Sequence, residues 1–162
     1  RIVREIAKYA GFLGREYGAE VDLWATLNEP MAVVFPGYIL QSATRTNPPG
    51  VSRPALARAV HAAMVEAHAR MYDALKAADT ADADGDGSPA QVGTVLNVLA
   101  TAPKDPASAL DREAADNVYY LWNTAFLDGV ALGQYDATLS GAPEARPDLA
   151  GRLDYLGINY YG

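Results

Sequence analysis

Three short apolar runs, at residues 21–27 (VDLWATL), 91–99 (QVGTVLNVL) and 153–160 (LDYLGINY), are separated by long stretches of helical periodicity, and no hairpin signal joins any two of them. Strands linked by crossovers of this length must pair in parallel, which makes the chain an α/β protein. The runs centre near Trp24, Val95 and Leu156. Each repeat is therefore roughly 60 to 70 residues long, against ~30 for a minimal barrel unit, and the surplus falls in helices and loops.

The first helix is predicted over residues 2–17, where Ile2, Ile6, Tyr9, Leu13 and Tyr17 form one apolar face and Gly18 can end it in the left-handed conformation. A second is predicted from an N-cap at Ser52, ahead of Pro54, to about Ala78, with Leu56, Val60, Met64, Ala67, Met71 and Leu75 inward. The third covers residues 108–127 and carries Val118, Leu121, Trp122 and Phe126. Residues 31–50, broken by Pro36, Gly37, Pro48, Pro49 and Gly50, read as a long irregular loop, which in compact domains usually serves a site. Residue 1 already lies in a helical pattern and the last follows an apolar strand. The expectation is thus that residues 1–162 are the central part of one larger domain, truncated at both ends.

Half of the 162 residues are apolar, enough for a real core. Twenty acidic against 13 basic residues give a net charge of -7, and the cations form no stripe, which argues against nucleic acid and anionic membrane as partners. No apolar run approaches the ~20 residues of a membrane helix. The absence of cysteine excludes disulfides and thiolate metal sites and fits the cytoplasm better than a secreted location.

The segment Thr26-Leu27-Asn28-Glu29-Pro30 sets a carboxylic acid beside an amide at the C-terminal end of a strand, where parallel α/β folds bind ligands. Neighbouring side chains on a regular strand point to opposite faces, so both reach one pocket only where the strand twists or bulges. Pro30 is expected to hold Glu29 in extended space. A carboxyl group in a partly desolvated pocket can keep its proton near neutral pH and protonate a leaving oxygen. On residue chemistry alone, a surface Glu ahead of a turn accounts for the pattern equally well.

The string W-x-T-L-N-E-P at Trp24 to Pro30 resembles the acid/base signature of glycoside hydrolase family 1, the β-glucosidase and β-galactosidase family. Four further features follow in that family's order: Gly37-Tyr38 with Pro49-Gly50; His61, His68 and Ala69 on a helix; V-G-x-V-x-N at Val92 to Asn97; and D-x-L-G-x-N-Y-Y at Asp154 to Tyr161. The resemblance implies a partial (β/α)8 TIM barrel, about strands 4 to 6 with their helices. It implies that Glu29 is the general acid/base of a retaining β-glycosidase and that Asn28 binds the sugar hydroxyl beside the scissile carbon. Tyr161 would hold and tune the nucleophilic carboxylate, with Asn159 beside it in the sugar pocket. Asn97 would lie near the site, in a contact or a structural role. No cofactor is implied, and the partners are a β-linked glucoside or galactoside and the remaining segments of the barrel.

The family's nucleophile, in a T-E-N-G-like strand, is absent from this sequence, as is the earlier strand with its sugar-binding His and Trp. Retaining hydrolysis needs two carboxyl groups ~5 to 5.5 Å apart. The chain by itself is therefore expected to be inactive. Phospho-β-glycosidase and transglycosidase activities of the same family stay open, as does a non-catalytic carbohydrate-binding or structural fragment, against which the Glu at position 29 argues. His61 and His68, ~10 Å apart along a helix, are too far apart to chelate one metal and read as packing residues. Asp82, Asp84, Asp86 and Gly87 imitate the first half of a calcium loop, but Gly93 stands where the bidentate acid belongs, so a solvated loop is expected. Tyr119, Tyr120, Trp122 and Phe126 read as helix packing, and Trp24 as barrel filling.

Overall fold

A computed structural model describes residues 1–40 and 47–161; residues 41–46 of the expected long loop lie outside the described residues. The elements run α1 (Ile2–Tyr17), β1 (Leu23–Asn28), α2 (Pro30–Tyr38), α3 (Pro54–Ala78), β2 (Gln91–Asn97), α4 (Ala109–Tyr119), a π-turn (Tyr120–Thr124), α5 (Ala125–Leu132), β3 (Gln134–Tyr135), β4 (Glu144–Ala145) and β5 (Tyr155–Asn159). The main sheet has the order β1-β2-β5, parallel throughout, and β3 and β4 make a small antiparallel ribbon. This is the α/β arrangement of a partial (β/α)8 barrel, with helices on one face of an arc of parallel strands. Among the described residues no helix is long and apolar enough to cross a membrane.

The long helix α3 is the spine. One cluster joins its Val65 and Ala69 to Leu96 of β2, to Phe126 and Val130 of α5, and to Tyr135 and Leu149. A second joins Ala67, Met71 and Leu75 of the same helix to Ala10 of α1 and Val92 of β2. The sheet's central strand is accordingly well buried, whereas β1 alternates between exposed and half-buried positions. That corrects the expectation of a buried strand at residues 21–27: β1 is an edge of this sheet, and Leu23 is 63% exposed.

Several other expectations shift, each for a local reason. Residues 31–38 of the supposed loop are helical, within α2. Pro36 inside α2 cannot donate to the carbonyl of Ala32, and the Asn47 side-chain amide donates to it instead at 2.7 Å. Gly18 caps α1 in right-handed geometry, φ -59. Its small size is required by Asp79, into which a Cβ would run. Helix α3 is flanked by Arg53, with no side-chain cap from Ser52, because Pro54 at the first position already removes one orphan donor. The third helix runs past residue 127 to Leu132, where Gly133 ends it at φ 68, a conformation that favours glycine. Its start is conventional: the Ser108 hydroxyl accepts from the Asp111 N–H.

Two histidines lie fully inside. The carbonyl of Arg152 can only accept, so the His68 Nε2 that faces it carries the hydrogen, and Nδ1 accepts from the Thr26 hydroxyl at 2.5 Å. His61 packs edge-on against Phe126, and both of its ring nitrogens lack a partner among the described residues.

Two tests follow from this packing. Gly93 of β2 lies so close to Tyr155 of β5 that a Cβ would overlap its ring and carbonyl. Gly93→Ala is expected to lower stability by about 1–3 kcal/mol, read as a drop in the thermal midpoint; an unchanged midpoint would contradict the close approach. Burial depresses the pKa of both imidazoles, that of His61 to about 4 against the opposing charge of Asp136, and that of His68 against its bond to Arg152. The unfolded chain takes up these protons near pH ~6.5 while the fold resists them, so their stabilising contribution is complete above ~6.5 and is lost as pH falls below it, for His61 through about 4. Thermal midpoints measured down that range should fall, and His61→Leu should make the fall shallower.

Candidate active site

All three strands of the main sheet end in asparagine, Asn28, Asn97 and Asn159, and these ends lie along one rim. Asn97 and Asn159 are register partners. The β1 to β2 register slips between Ala25 and Asn28, and the Leu27 carbonyl there is taken by the Thr94 hydroxyl at 2.9 Å. The next residue, Glu29, departs from the strand altogether: its backbone is left-handed, φ 49 and ψ 60, while its N–H still donates to the Val95 carbonyl at 2.8 Å. This corrects the expectation that Pro30 keeps Glu29 extended. Pro30 disfavours right-handed helix at the residue before it, and the chain reaches α2 through the left-handed region instead.

Slip and turn together bring the side chains of Asn28 and Glu29 to the same place. The Asn159 amide donates both to Asn28 Oδ1 at 3.0 Å and to Glu29 Oε1 at 2.6 Å. The Tyr161 hydroxyl donates to the same Glu29 oxygen at 2.6 Å. Donation to the Glu29 carboxylate, with a smaller contribution from burial, holds the Tyr161 phenol above its ordinary range. The ring itself is 68% exposed. Asn28, Glu29, Asn159 and Tyr161 thus form one hydrogen-bonded cluster spanning the two outer strands. Asn97 stands between those strands and, among the described hydrogen bonds, is not part of the cluster: it lines the cavity behind Glu29, and its backbone carbonyl accepts from the Trp122 indole N–H at 2.9 Å.

Behind Glu29 lies a small cavity of about 10 Å³ lined by Glu29, Pro30, Met31, Ala32, Leu96, Asn97 and Trp122, close to the minimum for one water. Trp122, expected from the sequence to be a helix-packing residue, packs at a tilt of 43° against Phe35 of α2 with ring centroids 5.1 Å apart and lines this cavity as well. Nothing in the helical periodicity of residues 108–127 marks it as a site residue, because the π-turn that orients it is invisible to a 3.6-residue pattern. Trp24 faces away from the rim and donates to Asp79 Oδ2 at 2.8 Å.

Asp22, Asp82 and Asp84 bring carboxylate oxygens within 4.8 Å of one another beside the N-terminal ends of β1 and β2, away from Glu29. Their oxygens accept from the N–H groups of Ala83, Asp84, Gly85, Asp86 and Gly87, which folds the acidic loop on itself. A wider groove between α1 and α3, bordered by Arg4, Lys8, Arg15 and Arg70, shares no residue with the Glu29 cluster.

Chemically, the cluster offers a carboxyl group with one oxygen fixed by two neutral donors, amides on either side of it and an exposed aromatic hydroxyl above. The model of the family described as glycosyl hydrolase family 1 matches residues 1–162. The chain is similar to a β-galactosidase of Pyrococcus woesei, 38% identical over 164 residues covering 99% of this chain and 32% of that protein. It is also similar to a β-galactosidase of Saccharolobus solfataricus, at 31% over 99% of this chain and 30% of that protein. Among solved structures it resembles the β-glucosidase of Trichoderma harzianum, at 28% identity and a TM-score of 0.78 over 99% of this chain and 34% of that one. The β-glycosidase of Thermosphaera aggregans gives 31% identity and a TM-score of 0.71, covering 98% and 29%. The chain spans about a third of the length of the relatives it matches.

Proposed function

Because the chain belongs to glycosyl hydrolase family 1, we propose that Glu29 is the general acid/base of a retaining β-glycosidase of which residues 1–162 form the central part of the barrel domain. The observation that carries this reading is the position of Glu29 at the C-terminal strand rim, with Oε1 held by Asn159 and Tyr161. Both donors sit on Oε1, so the proton to be delivered is carried on Oε2. As the bond between the anomeric carbon and the glycosidic oxygen breaks, that proton passes to the leaving oxygen. A second carboxylate, supplied from outside residues 1–162, attacks the anomeric carbon and forms a glycosyl ester. Water then attacks the anomeric carbon of the glycosyl ester, whose bond to the second carboxylate breaks, while Glu29, now a carboxylate, takes the water's proton, which returns both carboxyl groups to their starting states.

In this reading Asn28 binds the hydroxyl next to the reacting carbon, Asn159 spans Asn28 and Glu29, and Tyr161, whose one hydroxyl proton goes to Glu29 within residues 1–162, turns that bond to the nucleophilic carboxylate once the complete barrel supplies it. Asn97 shapes the cavity behind the acid. The names of the relatives, β-galactosidase and β-glucosidase, support a β-linked galactoside or glucoside as substrate. No step calls for a cofactor.

The test is Glu29→Gln in the full-length enzyme, which preserves shape and removes the transferable proton. Poor leaving groups such as a disaccharide's sugar should lose about 10²–10⁴-fold in rate, whereas a dinitrophenyl glycoside should keep a near-normal first step and stall as the glycosyl-enzyme. Azide, which needs no general base, should then restore turnover. A uniform loss on both substrates without azide rescue would assign Glu29 a binding or structural role instead.

A further inference from the structure

The helix after β2 is interrupted by a π-turn at Tyr120–Thr124, where the Ala125 N–H reaches back five residues to the Tyr120 carbonyl. Such turns widen the helix and recur at functional sites. Here two consecutive side chains from the turn grip the chain as it leaves β2. The Trp122 indole N–H donates to the Asn97 carbonyl at 2.9 Å. The Asn123 amide, 5% exposed, accepts from the Leu99 N–H and donates to the Leu99 carbonyl, both at 2.9 Å. The Trp122 ring also packs, tilted, against Phe35 of α2, the helix that begins at Pro30 directly after Glu29.

We infer that Trp122 and Asn123 are positioning residues for Glu29, holding together the two backbone segments that flank it so that its carboxyl group faces the leaving-group oxygen at a fixed angle. One segment is the end of β2, whose Val95 carbonyl takes the Glu29 N–H. The other is α2, whose first residue follows Glu29 and whose Phe35 meets the indole. Glu29 is in left-handed backbone geometry, which is unfavourable for a residue with a side chain and persists only where the surroundings determine it. Its own side-chain bonds lie on the β5 side, through Asn159 and Tyr161. On the β2 side the corresponding restraint comes from the π-turn clamp and the cavity wall that Trp122 shares with Glu29. Loss of the clamp leaves the acid present but less well aimed, and proton transfer is sensitive to donor geometry.

The inference rests on Glu29 being the acid/base, and its test separates the two claims. In the full-length enzyme, Trp122→Phe retains a ring against Phe35 and removes the donor to Asn97; Asn123→Leu removes both bonds to Leu99. Rates of the glycosylation step are measured across aryl glycosides of graded leaving-group acidity. Either variant should lose about tenfold on the poorest leaving groups and less than about twofold on the dinitrophenyl substrate, since only the former depend on an aimed proton. Should Asn123→Leu fail to fold, the milder Trp122→Phe decides the matter. Equal losses across the series, or none, would overturn the positioning role while leaving Glu29 as the acid. If the parallel Glu29→Gln enzyme shows neither leaving-group dependence nor azide rescue, the acid/base reading falls and the positioning role falls with it.

Discussion

Three parallel strands share no hairpin, so their register has to be fixed by contacts between residues far apart in sequence, and the buried His68 supplies one that ties the two outer strands through α3. From α3 its ring reaches Thr26 of β1 on one side and the Arg152 carbonyl, just before β5, on the other. The Thr26 hydroxyl also lies 3.2 Å from the Gly93 carbonyl of β2. A neutral imidazole suits this place because it is both donor and acceptor, and burial keeps it neutral. Thr26 stands only three residues before Glu29. Holding it against helix and sheet therefore fixes where β1 slips its register and where Glu29 emerges at the rim.

Downstream of that anchor the backbone itself does the aiming. A regular strand would send Asn28 and Glu29 to opposite faces. The slip after Ala25, taken up by the Thr94 hydroxyl, and the left-handed turn at Glu29 bring both within reach of the single Asn159 amide. An acid on a flexible loop could reach the same spot without this cost, but it would not stay there. Placing the strained residue between a strand that holds its N–H and a helix that starts with a proline converts local strain into a fixed direction.

Much of this was legible in the sequence. Parallel pairing followed from helix-length connections, and the need for a bulge at Asn28-Glu29 followed from strand alternation. The resemblance to a glycosidase family rested on five motifs in order. The parts that were not legible depend on tertiary supply. Residues 31–38 look like loop because Pro36 breaks a helical hydrogen bond, and only the fold shows that Asn47, eleven residues on, replaces it. Gly18 reads as a left-handed cap by convention, whereas its role is to admit Asp79 from another helix. The π-turn has no sequence period of its own, so Trp122 passed for one more core aromatic. Burial of β1 was overestimated because an apolar run signals a capacity for burial, and what covers it is a property of the neighbours.

The donors around Glu29 are of a kind that does not titrate with it. Asn159 is a neutral amide, and Tyr161, whose hydroxyl is bonded to the carboxylate, is pushed to ionise later than a free phenol. Both therefore keep their protons throughout the range in which carboxyl groups exchange theirs. The two histidines, the only side chains whose ordinary titration falls near neutrality, are instead sealed against Phe126 behind the sheet. Neither ring lies at the rim, and their protonation reaches it only through the fold, by taking from His68 Nδ1 its role as acceptor from Thr26. This separation has a mechanistic sense: a residue that must be an acid in one half of a reaction and a base in the other works best when nothing beside it changes charge on the same schedule. The fold achieves it by placing asparagines at the end of every strand of the main sheet and its imidazoles one layer away.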